Sequence, residues 1–236
     1  MYAESKKNQN LALFDFDGTL CEKDSFTSFI FYALSKRHIV KQGLKTLPWI
    51  QAYFLNIYPA HAMRPKLFKA MFAGFYKSDA DSIALEYAYS LQQHLNSPIY
   101  EQLIKHQLRG DRIAIVSASI DIYLKPISQI LNVDLICTET EVLNQFYTGH
   151  YSSPDCSGEE KRKRILKQYD VDQFQSIYAY GNSYEDQAML DMADYPYMVG
   201  SSHQLPDIDP TKKARLSELF FNKKLIDCHM IAMDHF

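Results

Sequence analysis

The four cysteines of this chain, Cys21, Cys137, Cys156 and Cys228, lie far apart, with neither CxxC nor zinc-ribbon spacing. That scatter argues against a disulfide framework and fits reduced thiols in a cytoplasmic protein. A basic excess is also missing: the formal net charge is −3, the pI is near 6.2, and the longest like-charged block is Lys161 to Arg164. Nucleic acid is therefore not an expected partner. No apolar run reaches the roughly 20 residues that span a bilayer. The most apolar stretch, Leu44 to Pro59, is broken by Lys45, Pro48, Gln51 and Asn56 and reads as buried or interfacial. The polar start, Met1 to Asn10, runs into a strand that Asp15 and Asp17 interrupt before a signal-peptide core could form, so export is not expected. Internal repeats and low-complexity tracts are absent.

What is present suffices for a full core: 236 residues, 47% of them hydrophobic, make one large domain or one domain carrying an insertion. Short apolar runs at Leu11 to Phe16, Arg112 to Ser119, Asp134 to Glu139, Ser176 to Asn182 and Tyr195 to Gly200 read as buried parallel strands. Helical patterns at 121–132, 158–169 and 184–193 alternate with them, which predicts an α/β fold with a Rossmann-like, doubly wound parallel sheet. The segment from Cys21 to about Pro98 has helical periodicity and many aromatics, and is too long for a crossover. It reads as an inserted helical domain, residues 22–98, set in a core of residues 1–21 and 99–236. Within it, Trp49 to Tyr58 is expected in the bundle core, with a lipid- or substrate-facing surface as the alternative. Val142 to Tyr151 reads as a hairpin and Ser152 to Cys156 as a loop.

In open α/β sheets, ligands bind outside the carboxyl ends of the strands. Here those ends are polar: Asp15 and Asp17 after the first strand, Ser117 and Ser119 at the second, and Asn182, Ser183, Glu185 and Asp186 after the fourth. Core packing alone predicts no such coincidence, although Asp-Gly is a common turn and Ser117 alone could cap a helix.

Four ordered segments, DFDGTL (Asp15 to Leu20), SAS (Ser117 to Ser119), GEEK (Gly158 to Lys161) and GNSYED (Gly181 to Asp186), resemble the motifs of the haloacid dehalogenase (HAD) superfamily of phosphohydrolases. The helical insertion resembles the C1 cap of the phosphoserine-phosphatase-like branch, and the flanking residues are similar to phosphatidylglycerophosphatase C-like hydrolases. The resemblance implies a Mg²⁺-dependent phosphomonoesterase acting on a small phosphate ester or a lipid-headgroup phosphate, with peripheral membrane contact compatible with the apolar cap. It implies Asp15 as nucleophile, Asp17 as general acid and base, and Lys161 as the charge partner. Mg²⁺ would be held by the Asp15 carboxylate, the Asp17 carbonyl, Asn182, and a water on Asp186. Ser117, Thr19 and the amides near Gly18 and Ala118 would hold the phosphate.

Two positions depart from the pattern. Many members carry Asp where this chain has Asn182, which keeps an oxygen ligand but loses a charge. Phosphoserine enzymes of the branch carry Glu nine residues beyond the nucleophile; here that residue is Asp24, which either recognises a polar group or caps the next helix. Lys163 is the alternative to Lys161 in the EEKRKR run. A phosphotransferase using the same nucleophile, and a non-catalytic phosphate-binding module, are the competing functional readings. The tail residues Cys228, His229, Asp234 and His235 lack standard zinc spacing.

Overall fold

The computed structural model describes residues 9–211 apart from Asn56, so the tail histidines and Cys228 lie outside the described residues. The five apolar runs become strands β1 (Leu11–Phe14), β2 (Arg112–Ile120), β3 (Asp134–Thr138), β6 (Ile177–Gly181) and β7 (Tyr195–Met198). All pair in parallel, in the order β3-β2-β1-β6-β7. Between them, β4 (Thr140–Leu143) and β5 (Phe146–Tyr151) form the expected hairpin, turning on Asn144 and Gln145, both at positive φ.

The two-residue period of a strand sorts the core into two layers. Ala12, Phe14, Ile113, Ile115, Tyr178 and Tyr180 lie under helices α5 (Ser97–Arg109) and α6 (Asp121–Ile130). Leu11, Leu13, Ala114, Val116, Ile177 and Ala179 face α7 (Glu159–Gln168) and α8 (Gln187–Leu190). Phe14 stacks on Tyr180 at 4.4 Å between ring centroids, locking the two central strands together.

The inserted segment forms α1 (Ser25–Ala33), α2 (Lys36–Phe54), α3 (Ala60–Phe72) and α4 (Lys77–Leu91). Its two connections to the core are bonded to each other: the Glu22 N–H donates to the His94 carbonyl and the Asn96 N–H to the Leu20 carbonyl, each at 2.9 Å. The hairpin then packs on α3, where Phe68 meets Tyr151 and Tyr147. A Cβ on Gly149 would lie 2.8 Å from that of Ala73, so this contact requires glycine.

Two expectations need correction. The helix expected over 184–193 is a 3-10 turn, Tyr184–Asp186, followed by the single turn α8, because the Asp186 side chain folds back onto the backbone of Asn182 and Ser183. The Trp49 to Tyr58 stretch is not wholly core: Trp49, Leu55 and Ile57 are exposed. Helix α2 buries Thr46 and turns Ile39 and Ile50 to an internal cavity, which leaves the apolar residues of a neighbouring side uncovered.

Candidate active site

Strand β1 sits where the strand order reverses, with β2 on one side and β6 on the other. This is the switch point at which open sheets form a crevice. The backbone leaves the sheet there in a tight turn, with the Leu20 N–H returning to the Asp15 carbonyl and the Cys21 N–H to that of Phe16.

Lys161 organises the crevice. Projected from the first turn of α7, it is only 1% exposed, and its ammonium donates to Asp15 Oδ1 at 2.7 Å, Asp186 Oδ1 at 2.5 Å and the Val116 carbonyl at 2.8 Å. Lys163 is exposed and plays no such part. Burial alone would lower the Lys161 pKa, but the charges of Asp15 and Asp186 outweigh it and hold the ammonium protonated. The other Asp15 oxygen accepts from the Thr19 hydroxyl at 3.0 Å. Burial pushes the Asp15 carboxyl up to about 7, against the pull of Lys161.

Asp17 turns the other way, toward the insertion. Its carboxylate accepts from the Ser119 hydroxyl at 2.5 Å and from the Ser25 N–H at 2.6 Å, and burial raises its pKa. Ser25 is itself fixed: its hydroxyl donates to Tyr123 Oη at 2.9 Å, and its carbonyl accepts from Tyr87 Oη at 2.8 Å. Sequence reading missed Ser25, Tyr87 and Tyr123, since none lies in a motif.

The loop after β6 completes the crevice. Asp186 Oδ2 accepts from the N–H groups of Asn182 and Ser183 at 2.9 and 3.0 Å, so this carboxylate is occupied by the loop and Lys161. The Asn182 amide lies against Gly18, where an added Cβ would come 2.0 Å from Nδ2. Gly18 is also at φ +74°, so close approach and conformation both demand glycine.

Other predicted residues differ in detail. The Gly18 N–H donates to the Cys21 carbonyl at 2.7 Å and is engaged within the turn, which corrects its expected use as a phosphate donor; the Asp17 N–H beside it makes no hydrogen bond among the described residues. Ser117 is buried, accepts from the Ser119 N–H at 3.1 Å, and does not cap α6. Ser117 and Ala118 both line the crevice. Asp24 lines it too, but both its oxygens are taken by Thr27, from the N–H at 3.0 Å and the hydroxyl at 2.7 Å, so capping α1 accounts for it.

Does this donor set suit Mg²⁺? Among the described residues, no cluster of three or more His, Cys, Asp and Glu is arranged to hold a metal. The oxygens at the end of β1 are of mixed kinds instead. The Asp17 carbonyl and the Asn182 side chain make no hydrogen bond among the described residues, and both stand beside the Asp15 carboxylate's turn. Two of the three carboxylates there, Asp15 and Asp186, share the Lys161 ammonium, and the third, Asp17, has only the neutral donors Ser119 and Ser25. An all-oxygen set short of positive charge fits a hard divalent cation that keeps part of its water shell.

The crevice opens into a cavity of about 630 Å³ between sheet and insertion, polar on its floor and walled by Phe26, Ile30, Ile39, Ile50, Met63 and Leu67. Arg64 of α3 ties the insertion across it. Its guanidinium holds Asp155 through two 2.8 Å bonds and Glu185 through two at 3.1 Å.

A doubly wound parallel sheet with acids and a buried lysine gathered at its switch point defines an enzyme of the α/β class. The family model for haloacid dehalogenase-like hydrolases matches residues 12–191, and the chain belongs to that family. A histidinol-phosphatase from Neisseria meningitidis serogroup C is 24% identical over 224 residues, covering 88% of this chain and 95% of the relative. Protein CicA from Caulobacter vibrioides is 28% identical over 194 residues, covering 78% and 83%. Among solved structures, a protein of unknown function from Bordetella pertussis Tohama I superposes with a TM-score of 0.64 at 20% identity, covering 79% of this chain and 87% of its own. A substrate-bound phosphoserine phosphatase gives 0.57 at 16%, covering 80% and 84%.

Proposed function

We propose that the chain is a Mg²⁺-dependent phosphomonoesterase that works through a phospho-Asp15 intermediate, with residues 22–98 acting as a C1 cap over a core of residues 1–21 and 99–236. The single observation that carries this reading is the Lys161 ammonium, buried and bonded to both Asp15 and Asp186 at the switch point of the sheet. One ammonium holding two carboxylates in that position favours the charged form of Asp15 against the effect of burial and fixes its orientation in the crevice.

Phosphate ester hydrolysis is very slow without catalysis, and a covalent intermediate divides it into two easier steps. An Asp15 oxygen attacks phosphorus, the bond from phosphorus to the ester oxygen breaks, and the Asp17 carboxyl gives its proton to the departing alkoxide. Water then attacks the aspartyl phosphate, Asp17 takes the proton, and inorganic phosphate leaves with the Asp15 carboxylate restored. Burial raises the Asp17 pKa, which suits a group that must carry a proton in one step and lose it in the other. Asp15, the Asp17 carbonyl and Asn182 would hold Mg²⁺ directly and Asp186 through water, and the bound ion would supply charge neutralisation at the phosphate. Ser117 and the amides of Asp17 and Ala118 would orient the phosphoryl oxygens, while Thr19, expected among them, is fully buried and its hydroxyl donates to Asp15 instead.

The walls of the cavity bear on the substrate. Lys161 and Arg64 are the cations that line it; Lys161 donates through all three of its N–H groups and Arg64 through four of its five to groups of the protein, so a substrate carboxylate would find little to pair with. An ester of an alcohol with an apolar body and no carboxylate fits better than phosphoserine. Asp15→Asn tests the nucleophile. The amide is nearly isosteric but cannot form the acyl phosphate, so turnover should fall by at least about a thousandfold with the fold intact. Retention of a substantial fraction of kcat, or a beryllofluoride adduct on any other residue, would overturn the assignment.

A further inference from the structure

Helix α2 has apolar residues on two faces. The inner one brings Ile39, Gly43 and Ile50 to the cavity wall. The outer one carries Val40, Leu44 and Leu47, which the 3.6-residue repeat places in a single stripe. They are 61%, 66% and 42% exposed, and Leu55 and Ile57, just beyond the helix, are 69% and 73% exposed. Scattered apolar residues are ordinary on a protein surface; a continuous row marks a surface that meets something.

The charge around the row says what. From Ser25 to Ser78 the sequence holds eight Lys and Arg and not one Asp or Glu, although the whole chain carries −3. Four of these cations, Lys36, Arg37, Lys41 and Lys45, are exposed on α2 itself. A second copy of the chain would set this cationic face against its own image, which like charges oppose. The segment 212–236 is net basic and offers no better match. An aliphatic stripe bordered by lysines is instead the pattern of a helix that lies in a membrane interface, its apolar side at the acyl boundary and its ammonium groups reaching the lipid phosphates.

We propose that the outer face of α2 docks on an anionic lipid bilayer, with the helix lying in the plane of the surface. It does not cross: among the described residues no helix is long and apolar enough to do so. An adjacent face of the same helix lines the cavity, so docking would bring the active-site cavity within about one helix diameter, roughly 10 Å, of the lipid.

Flotation of the full chain with vesicles tests this, using phosphatidylcholine alone and phosphatidylcholine mixed with phosphatidylglycerol, at low and high salt. The chain should float with the anionic vesicles only, and less so as salt rises. The double variant Leu44→Ser/Leu55→Ser should lose at least about tenfold in partitioning, and Lys41→Gln/Lys45→Gln should weaken binding most at low salt. Circular dichroism and thermal unfolding check that both variants remain folded. Failure of the wild-type chain to float, equal binding to neutral vesicles, or undiminished binding by the folded serine variant would overturn the proposal. So would a dimer, seen in sedimentation, that the serine variant dissociates in the absence of vesicle binding.

Discussion

Gly18→Ala should damage this protein through a contact that another mutation can remove. The alanine Cβ would stand 2.0 Å from Asn182 Nδ2 and 2.9 Å from its Cγ, and the residue must hold φ near +74°. The left-handed conformation costs a non-glycine residue about 1–2 kcal/mol. Displacing the Asn182 amide adds a further strain of about 1–2 kcal/mol, typical of overpacking. The next contact, Asn182 Oδ1 at 3.6 Å, is ordinary, so truncating Asn182 to alanine removes the whole clash. A double-mutant cycle by urea denaturation should therefore give a destabilisation of about 2–4 kcal/mol for Gly18→Ala in the wild type and only about 1–2 kcal/mol in the Asn182→Ala background. Equal costs in the two backgrounds would mean that the amide does not press on the turn, and the juxtaposition of the first and fourth motifs would be wrong.

Asp17→Asn should lower kcat by about a hundredfold or more while leaving Mg²⁺ affinity nearly unchanged, because the proposed ligand is its backbone carbonyl; calorimetry and steady-state kinetics read the two effects separately. Asn182→Asp should lower the Mg²⁺ concentration for half-maximal activity by adding charge and a harder ligand, and an unchanged or higher requirement in the folded variant would place residue 182 away from the cation. Arg64→Gln removes a guanidinium that makes four charge-assisted bonds between α3 and the core, and should cost about 2 kcal/mol in urea denaturation. His106, buried between Asp111 at 2.6 Å and Tyr180 Oη at 3.0 Å, has its pKa lowered by burial despite the Asp111 charge. The unfolded chain then takes up a proton near pH 6.5 that the folded chain refuses, so the stability from this group is present at pH 7 and lost as pH falls. The gap between wild type and His106→Gln should narrow by about 1–2 kcal/mol from pH 7 to pH 5.

The strands were legible because their apolar runs are short, bounded and separated by helical periodicity, and that alternation has few solutions. The candidate site was legible for a different reason: Asp15 and Asn182 follow the last residues of β1 and β6, and Ser117 lies in β2 just past the residue paired with the end of β1, so proximity in space was written as position along parallel strands. Arg64 carries no such signal. Its partners Asp155 and Glu185 lie 91 and 121 residues away, and only the packing of α3 over the core brings them together. Ser25 and Tyr123 were hidden for the same reason, 98 residues apart yet 2.9 Å from oxygen to oxygen.

Helix α2 is the instructive failure. Periodicity identifies an apolar stripe but not what covers it, and α2 has apolar residues on more than one side, so residues counted toward a bundle core include some that face outward. The charge composition discriminates where periodicity does not. A helix buried on all sides has little use for Lys36, Arg37, Lys41 and Lys45, and Ser25 to Ser78 contains no acid to pair with them. The inner face of the helix therefore belongs to the cavity and the outer face to a partner that supplies negative charge. One amphipathic element then has two jobs, walling the substrate cavity and meeting the surface on which the protein works.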